Sequence, residues 1–108
     1  MSPVRSSSLP SLPPKELLIL ELLADHGELY GLELVTQSKR ALKRGTAYVT
    51  LGRMEDKGYI QSRTVDPPPG AGGMPRRLYD LTALGNHAVK SAREWTRAAR
   101  RLTPAVAR

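Results

Sequence analysis

Four polar side chains, Thr46, Thr50, Arg53 and Lys57, recur along one short segment of the chain. At about 100° per residue they form one helical stripe, while Ala47, Leu51, Met54 and Gly58 form a second stripe roughly 80 to 100° away. One stripe is suited to packing and the other to being offered to a partner. The offered groups are two hydroxyls, a guanidinium and an ammonium, all of which hydrogen-bond to base edges or phosphates. Arg53 has the planar fork that pairs with guanine in bidentate fashion, and Val49, further round, suits a thymine methyl. Tyr48, on the flank opposite Arg53, either packs at the core edge or gives its hydroxyl to a phosphate. Lys43 and Arg44 come just before the helix, where positive charge opposes the macrodipole unless an anion lies between them. A nucleic-acid phosphate is such an anion. A polar stripe on a short helix is by itself most often only solvated, so these neighbouring cations decide the reading.

Other chemistry finds no support. The 108 residues contain no cysteine, which removes disulfides, thiolate catalysis and Cys-based zinc or iron-sulfur sites. No Ser-His-Asp arrangement or close carboxylate pair stands out. The glycines from Gly70 to Gly73 lie in a proline-rich stretch, not between strand and helix where a phosphate cradle belongs. No catalytic residue, metal ligand or cofactor is therefore expected, and His26 and His87 read as surface or helix-end residues. The net charge of +7 favours polyanionic partners. Between Lys39 and Arg77 nine basic residues face three acidic ones, which places a phosphate backbone against the middle of the chain. The longest apolar run, Leu17 to Leu20 resuming at Leu22 to Ala24, falls short of the roughly 20 residues of a membrane span. Nothing before Pro13 resembles a secretory signal. A cytoplasmic protein with no membrane segment is the expectation.

The elements that position these groups follow from periodicity and caps. Residues 1–12, rich in Ser and Pro, read as a disordered arm whose Arg5 is solvated. A first helix begins near Pro13-Pro14 and stops at Gly27. Its Leu17, Leu18, Ile19, Leu20, Leu22 and Leu23 cover nearly the whole circumference, as in a helix at the centre of a core. A short second helix over 32–39, with Leu32, Leu34 and Val35 available for burial, and a third over 46–57 make a helix-turn-helix. Strands over 59–65 and 77–81 flank a loop with four prolines and three glycines, which makes a hairpin wing. Thr82 caps a last helix over 83–102, and Pro104 ends it. On that helix Ala88, Ala92, Trp95, Ala99 and Leu102 alternate as in a two-helix seam, opposite Lys90, Arg93, Arg97, Arg100 and Arg101. Because the first helix already supplies the core, the seam is assigned to a symmetric dimer, with the first helix also contributing. The expected fold is mainly α with a small β-hairpin: a winged helix-turn-helix over 13–81, an additional C-terminal dimerisation helix over 82–102, and a frayed tail over 103–108.

Four stretches, in order, resemble the PadR family of bacterial regulators, from about Leu12 to Leu102. They are Glu16 to Leu23 followed by Tyr30-Gly31-Leu32-Glu33-Leu34; Arg44-Gly45-Thr46-Ala47-Tyr48 with Leu51, Met54-Glu55 and Lys57-Gly58-Tyr59-Ile60; Pro75-Arg76-Arg77-Leu78-Tyr79; and Leu81-Thr82-Ala83-Leu84-Gly85. The resemblance implies a winged helix whose third helix enters the major groove, whose wing touches backbone or minor groove, and whose last helix dimerises. It makes Thr46, Tyr48, Thr50 and Arg53 the recognition residues and Arg76 and Arg77 the wing contacts. It also makes Trp95 a candidate contact for a small aromatic effector, against the plainer role of interface anchor. Lys43 stands where relatives place a Ser-type cap, and Val49-Thr50 replaces a Pro-Ala-like pair. The implied function is a transcriptional regulator, a repressor, that binds a palindromic operator in double-stranded DNA as a homodimer. The alternative is a winged-helix protein-interaction module without DNA readout. A Glu-rich third helix would favour that module, and Thr50, Arg53 and Lys57 do not. RNA binding fits less well, because single-strand readers use aromatic platforms and the chain has five aromatic residues.

Overall fold

The computed structural model describes residues 12–102. The expected arm up to Ser11, Pro104 and the expected tail lie outside the described residues, whereas Leu12, assigned to the arm, packs partly buried against the core. Helix α1 spans Pro14–His26, with Pro14 in the first turn, where a missing N–H costs nothing. Gly27 ends it at φ 83°, its N–H donating to the Leu23 carbonyl at 2.9 Å. Helix α2 spans Gly31–Gln37 and α3 spans Arg44–Asp56. α2 stops short of Lys39 because Ser38 closes the turn: its hydroxyl donates to the Val35 carbonyl at 2.7 Å and accepts from the Leu42 N–H at 3.0 Å.

Strand β1 is Leu29–Tyr30, β2 is Ile60–Val65 and β3 is Arg76–Leu81, joined as an antiparallel sheet in the order β1-β3-β2. Ser62 pairs with Tyr79 and Leu29 pairs with Tyr79 from the other edge, so Tyr79 sits at the sheet centre. β1 was not expected, because two residues carry no periodicity to read. Helix α4 spans Ala83–Leu102. Thr82 caps it as expected, its hydroxyl accepting from the Gly85 N–H at 3.0 Å while donating to the Gly58 carbonyl at 2.6 Å. The same hydroxyl therefore starts α4 and ties it to the turn after α3.

A single aliphatic core gathers Ile19, Leu20 and Leu23 from α1, Leu34 and Leu42 around the turn, and Ala47, Leu51 and Met54 from α3. Ile60, Tyr79, Leu81 and Val89 close it. α1 is less enclosed than its sequence suggests: Leu17, Leu18 and Leu22 are half-buried, and Leu32 of α2, offered for burial, is exposed. The first half of α4 packs through Gly85, Val89 and Ala92. Arg93 of α4 also pairs with Asp25 of α1 at 3.0 Å, an exposed contact of small energetic weight.

Among the described residues one charge lies inside. The buried residues of α1 are Glu16, Ile19, Leu20 and Leu23, the spacing of a single inward face, so a carboxylate stands where an aliphatic side chain would be expected. Glu16 is 1% exposed, and Lys57 Nζ donates to both of its carboxylate oxygens at 3.0 Å. A buried carboxylate without such a partner would be strongly unfavourable.

Gly85 sits directly against the Tyr59 carbonyl, which a Cβ at that position would strike. A backbone oxygen cannot rotate aside as a side chain does, so Gly85→Ala is expected to lower stability by about 2 kcal/mol or more in urea unfolding. A variant as stable as the parent would show that α4 can dock at another height.

Candidate nucleic-acid interface

The rotation of α3 about its axis decides which side chains a partner meets. Ala47, Thr50, Leu51 and Met54 are buried, and Tyr48, Val49, Gly52, Arg53 and Asp56 are exposed. At about 100° per residue, the centre of the exposed face lies roughly 100° from the stripe expected in the sequence. Two of the expected contacts are corrected. Thr50 is 5% exposed and its hydroxyl donates to the Thr46 carbonyl at 2.8 Å, so it is turned inward and satisfied by its own helix. Lys57 keeps 43% of its side chain exposed, but its ammonium is committed to Glu16. Thr46 stands half-buried at the edge, while Val49, 60% exposed, and Arg53 look outward. Arg53 has no ion pair among the described residues.

Tyr48 packs at an edge and remains partly open to solvent. Its ring lies over the start of α2, with its hydroxyl 2.7 Å from where a Cβ of Gly31 would be, yet it stays exposed. Gly31 is thus the residue that lets α3 and α2 close together. Tyr30 precedes it and donates its backbone N–H to the Glu33 carboxylate at 2.8 Å, the reciprocal half of a capping box.

At the start of α3, Lys43 is the N-cap and makes no side-chain cap bond. The first four N–H groups of a helix need partners, and here two cations stand beside them. Lys39 and Arg40, missed as candidates, adjoin them. Both take positive φ, 52° and 78°, a conformation that costs a non-glycine residue about 1–2 kcal/mol. With Lys43 and Arg44 they line an open hollow of about 630 Å³, and none of the four has an ion pair among the described residues. The run of basic residues held the signal; the backbone that turns them together was not readable from it.

The wing is fastened to α3. Arg77 donates from Nη1 to the Ser62 hydroxyl at 2.9 Å, and Ser62 donates to Glu55 of α3 at 2.7 Å. That bond takes one of the five guanidinium donors. Arg76 stacks over the Tyr30 ring, 3.9 Å from its centroid, and is exposed. Burial pushes the Tyr79 phenol above its ordinary pKa; Arg77 pulls it back, and Glu55 and Tyr48 add to the rise. Tyr79 is therefore a neutral hydroxyl beneath this junction.

The seam expected on α4 divides in two. Ala92 is buried and Ala88 partly buried against the core of the same chain, so these two are corrected from dimer contacts to internal ones. Beyond them Trp95 is half exposed and Leu102 is 80% exposed. Trp95 and Ala99 line a shallow hollow of about 400 Å³ with Thr96 and Arg100. Among the described residues no group of three or more His, Asp or Glu gathers as a metal site, and no helix is long and apolar enough to cross a membrane.

Three helices, a hairpin wing and a capped fourth helix form the winged helix-turn-helix read from the sequence. A model of the family described as Transcriptional regulator PadR-like family matches residues 19–91. The chain belongs to the PadR-like family. Among solved structures this PadR-like chain is similar to a PadR family transcription regulator from hypervirulent Clostridium difficile R20291, with TM-score 0.68 and 29% identity over 81% of this chain and 91% of that one. It is also similar to smu.1704 from Streptococcus mutans UA159, with TM-score 0.60 and 28% identity over 92% and 87% of the two chains. Bacillus subtilis PadR in complex with operator DNA shares the fold, with TM-score 0.64 and 24% identity over 78% of this chain and 47% of that one. A search of the curated proteins finds no match. The family model and the Clostridium difficile neighbour are both described as regulators of transcription.

The two lysines at the ends of α3 should respond oppositely to substitution. Lys57→Met is expected to cost about 2 kcal/mol in urea unfolding, less than for a fully enclosed pair because water reaches the lysine. Lys43→Ser is expected to gain about 1 kcal/mol by supplying the missing cap. Equal, negligible effects at both positions would show that Lys57 is an ordinary surface lysine.

Proposed function

We propose that this PadR-like protein is a sequence-specific regulator of transcription that binds a palindromic operator in double-stranded DNA as a homodimer, with repression as its sign. The observation that carries the reading is the outward face of α3. Val49 and Arg53 stand exposed on a helix whose other side is fixed in the core, and Arg53 has no protein ion pair to break among the described residues. In this reading Arg53 pairs with a guanine, Val49 meets a thymine methyl and Tyr48 flanks them. Lys43 and Arg44, with Lys39 and Arg40, hold phosphates at the start of the helix. Thr46 contributes from the edge, and Arg76 and Arg77 contact the backbone beside the wing. DNA was the bound partner of Bacillus subtilis PadR, and the shared fold supports carrying that partner to this chain. A cytoplasmic location follows from the same proposal.

The dimer contact in this reading is the outer half of α4, through Trp95, Ala99 and Leu102; the exposed apolar atoms of Trp95 and Leu102 leave water on association. The half-buried leucines of α1 add to it. The hollow beside Trp95 is the proposed seat of a small aromatic effector, which would loosen the grip on the operator by altering that contact.

The decisive experiment is selection of bound duplexes from a random pool at physiological salt, followed by titration against an unrelated duplex. Enrichment of an inverted repeat with half-sites one helical turn apart, roughly 34 to 36 Å, is expected; no enrichment would favour a protein-interaction module on the same scaffold. Arg53→Ala is expected to weaken the enriched site by about 1–3 kcal/mol while sparing the unrelated duplex. Lys43→Ala is expected to weaken both and to reduce the salt slope by about one. Light scattering should find a dimer, and a monomer would remove the two-fold arrangement.

A further inference from the structure

Gly52 stands in the interior of α3, where a glycine weakens a helix relative to alanine because the free backbone has more to lose on ordering. The fold gives no reason for it. A Cβ built at Gly52 meets no heavy atom within 4 Å, and its φ lies outside the left-handed region. The contrast with two other glycines is plain: a Cβ at Gly31 would collide with the Tyr48 ring, and one at Gly85 with the Tyr59 carbonyl. Those two are demanded by packing, whereas Gly52 faces open space on the outward side of α3.

Its surroundings suggest what fills that space. Val49 lies one turn back on the same face and Arg53 follows directly, both exposed. A valine side chain is short, so its methyls reach a partner only if the helix backbone comes close. Any side chain at position 52 would stand between the backbone and that partner. We propose that Gly52 is a specificity-determining residue. The missing side chain lets α3 seat deeply in the major groove, bringing Val49 within contact of a thymine methyl and Arg53 within bonding distance of a neighbouring guanine. Close backbone approach is the use of glycine that remains once φ and internal packing are set aside. The inference rests on the duplex-DNA reading above and adds to it the residue that sets the depth of the helix.

The test pairs unfolding with binding for Gly52→Ala and Gly52→Leu, both good helix formers. Each is titrated against the operator selected with the parent protein and against an unrelated duplex of equal length. Both variants are expected to melt at higher temperature, by roughly 4 °C for Ala. Operator affinity is expected to fall about tenfold for Ala and further for Leu, with the unrelated duplex changed less than about twofold. Stability and specific binding thus move in opposite directions, which a purely structural glycine cannot produce. The proposal is overturned if the variants melt lower, if they bind the operator as the parent does, or if both duplexes lose equally. Should the parent protein itself enrich no duplex, the DNA reading fails first and takes this inference with it, a result visible before any variant is made.

Discussion

The contact on which the rest of the structure depends is the meeting of α1 and α3, closed at one end by Lys57 donating to both oxygens of the buried Glu16. Ala47, Leu51 and Met54 pack with Ile19, Leu20 and Leu23 in one core, but apolar packing alone tolerates some rotation of one helix on another. A carboxylate on the inward face of α1 tolerates little, because losing its partner would leave a charge in a medium that cannot solvate it. The pair therefore fixes both the height and the rotation of α3. Once these are set, Val49, Gly52 and Arg53 face away from the protein.

The flanks of α3 are tied down in turn. Its Glu55 holds the wing through Ser62 and Arg77, and its Tyr48 closes over Gly31 at the start of α2. The four cations of the turn and the two arginines at the base of the wing are consequently held in fixed relation to the outward face between them. Such preorganisation matters for a polyanion, whose binding is dominated by where fixed positive charge sits. Little ordering of loops would be left for the moment of contact, so more of the gross interaction would survive as affinity.

Element types were readable because each left a local mark: Pro14 and Gly27 around α1, Thr82 before α4, prolines and glycines between β2 and β3. The failures share a different cause. Polarity is a poor guide to exposure on α3, because the Thr50 hydroxyl is satisfied by the Thr46 carbonyl and the Lys57 charge is claimed by a residue 41 positions away. The warning was present in α1, where Glu16 shares the spacing of Ile19, Leu20 and Leu23 and so calls for a buried cation somewhere in the chain. On α4 the small-residue spacing was real, but spacing does not say whose helix fills the groove. Ala88 and Ala92 meet their own core, and only the outer half remains exposed. Left-handed backbone at Lys39 and Arg40 has no sequence signature, so their place beside Lys43 and Arg44 is legible only in the fold.

The division of α4 links the two ends of the proposed mechanism. Its first half is anchored by Gly85, Val89 and Ala92, and its cap is the Thr82 hydroxyl that also donates to Gly58, at the end of α3. The helix is continuous from this cap to the exposed Trp95 and Leu102. Helices resist bending far more than they resist tilting as units, so a change in how the outer halves meet in the proposed dimer would be carried inward as a tilt. The inner anchor lies against the turn that follows α3, and the two reading helices would move relative to each other while each kept its own face intact. Spacing between half-sites, not the chemistry of either one, is then the quantity that a molecule bound near Trp95 would change.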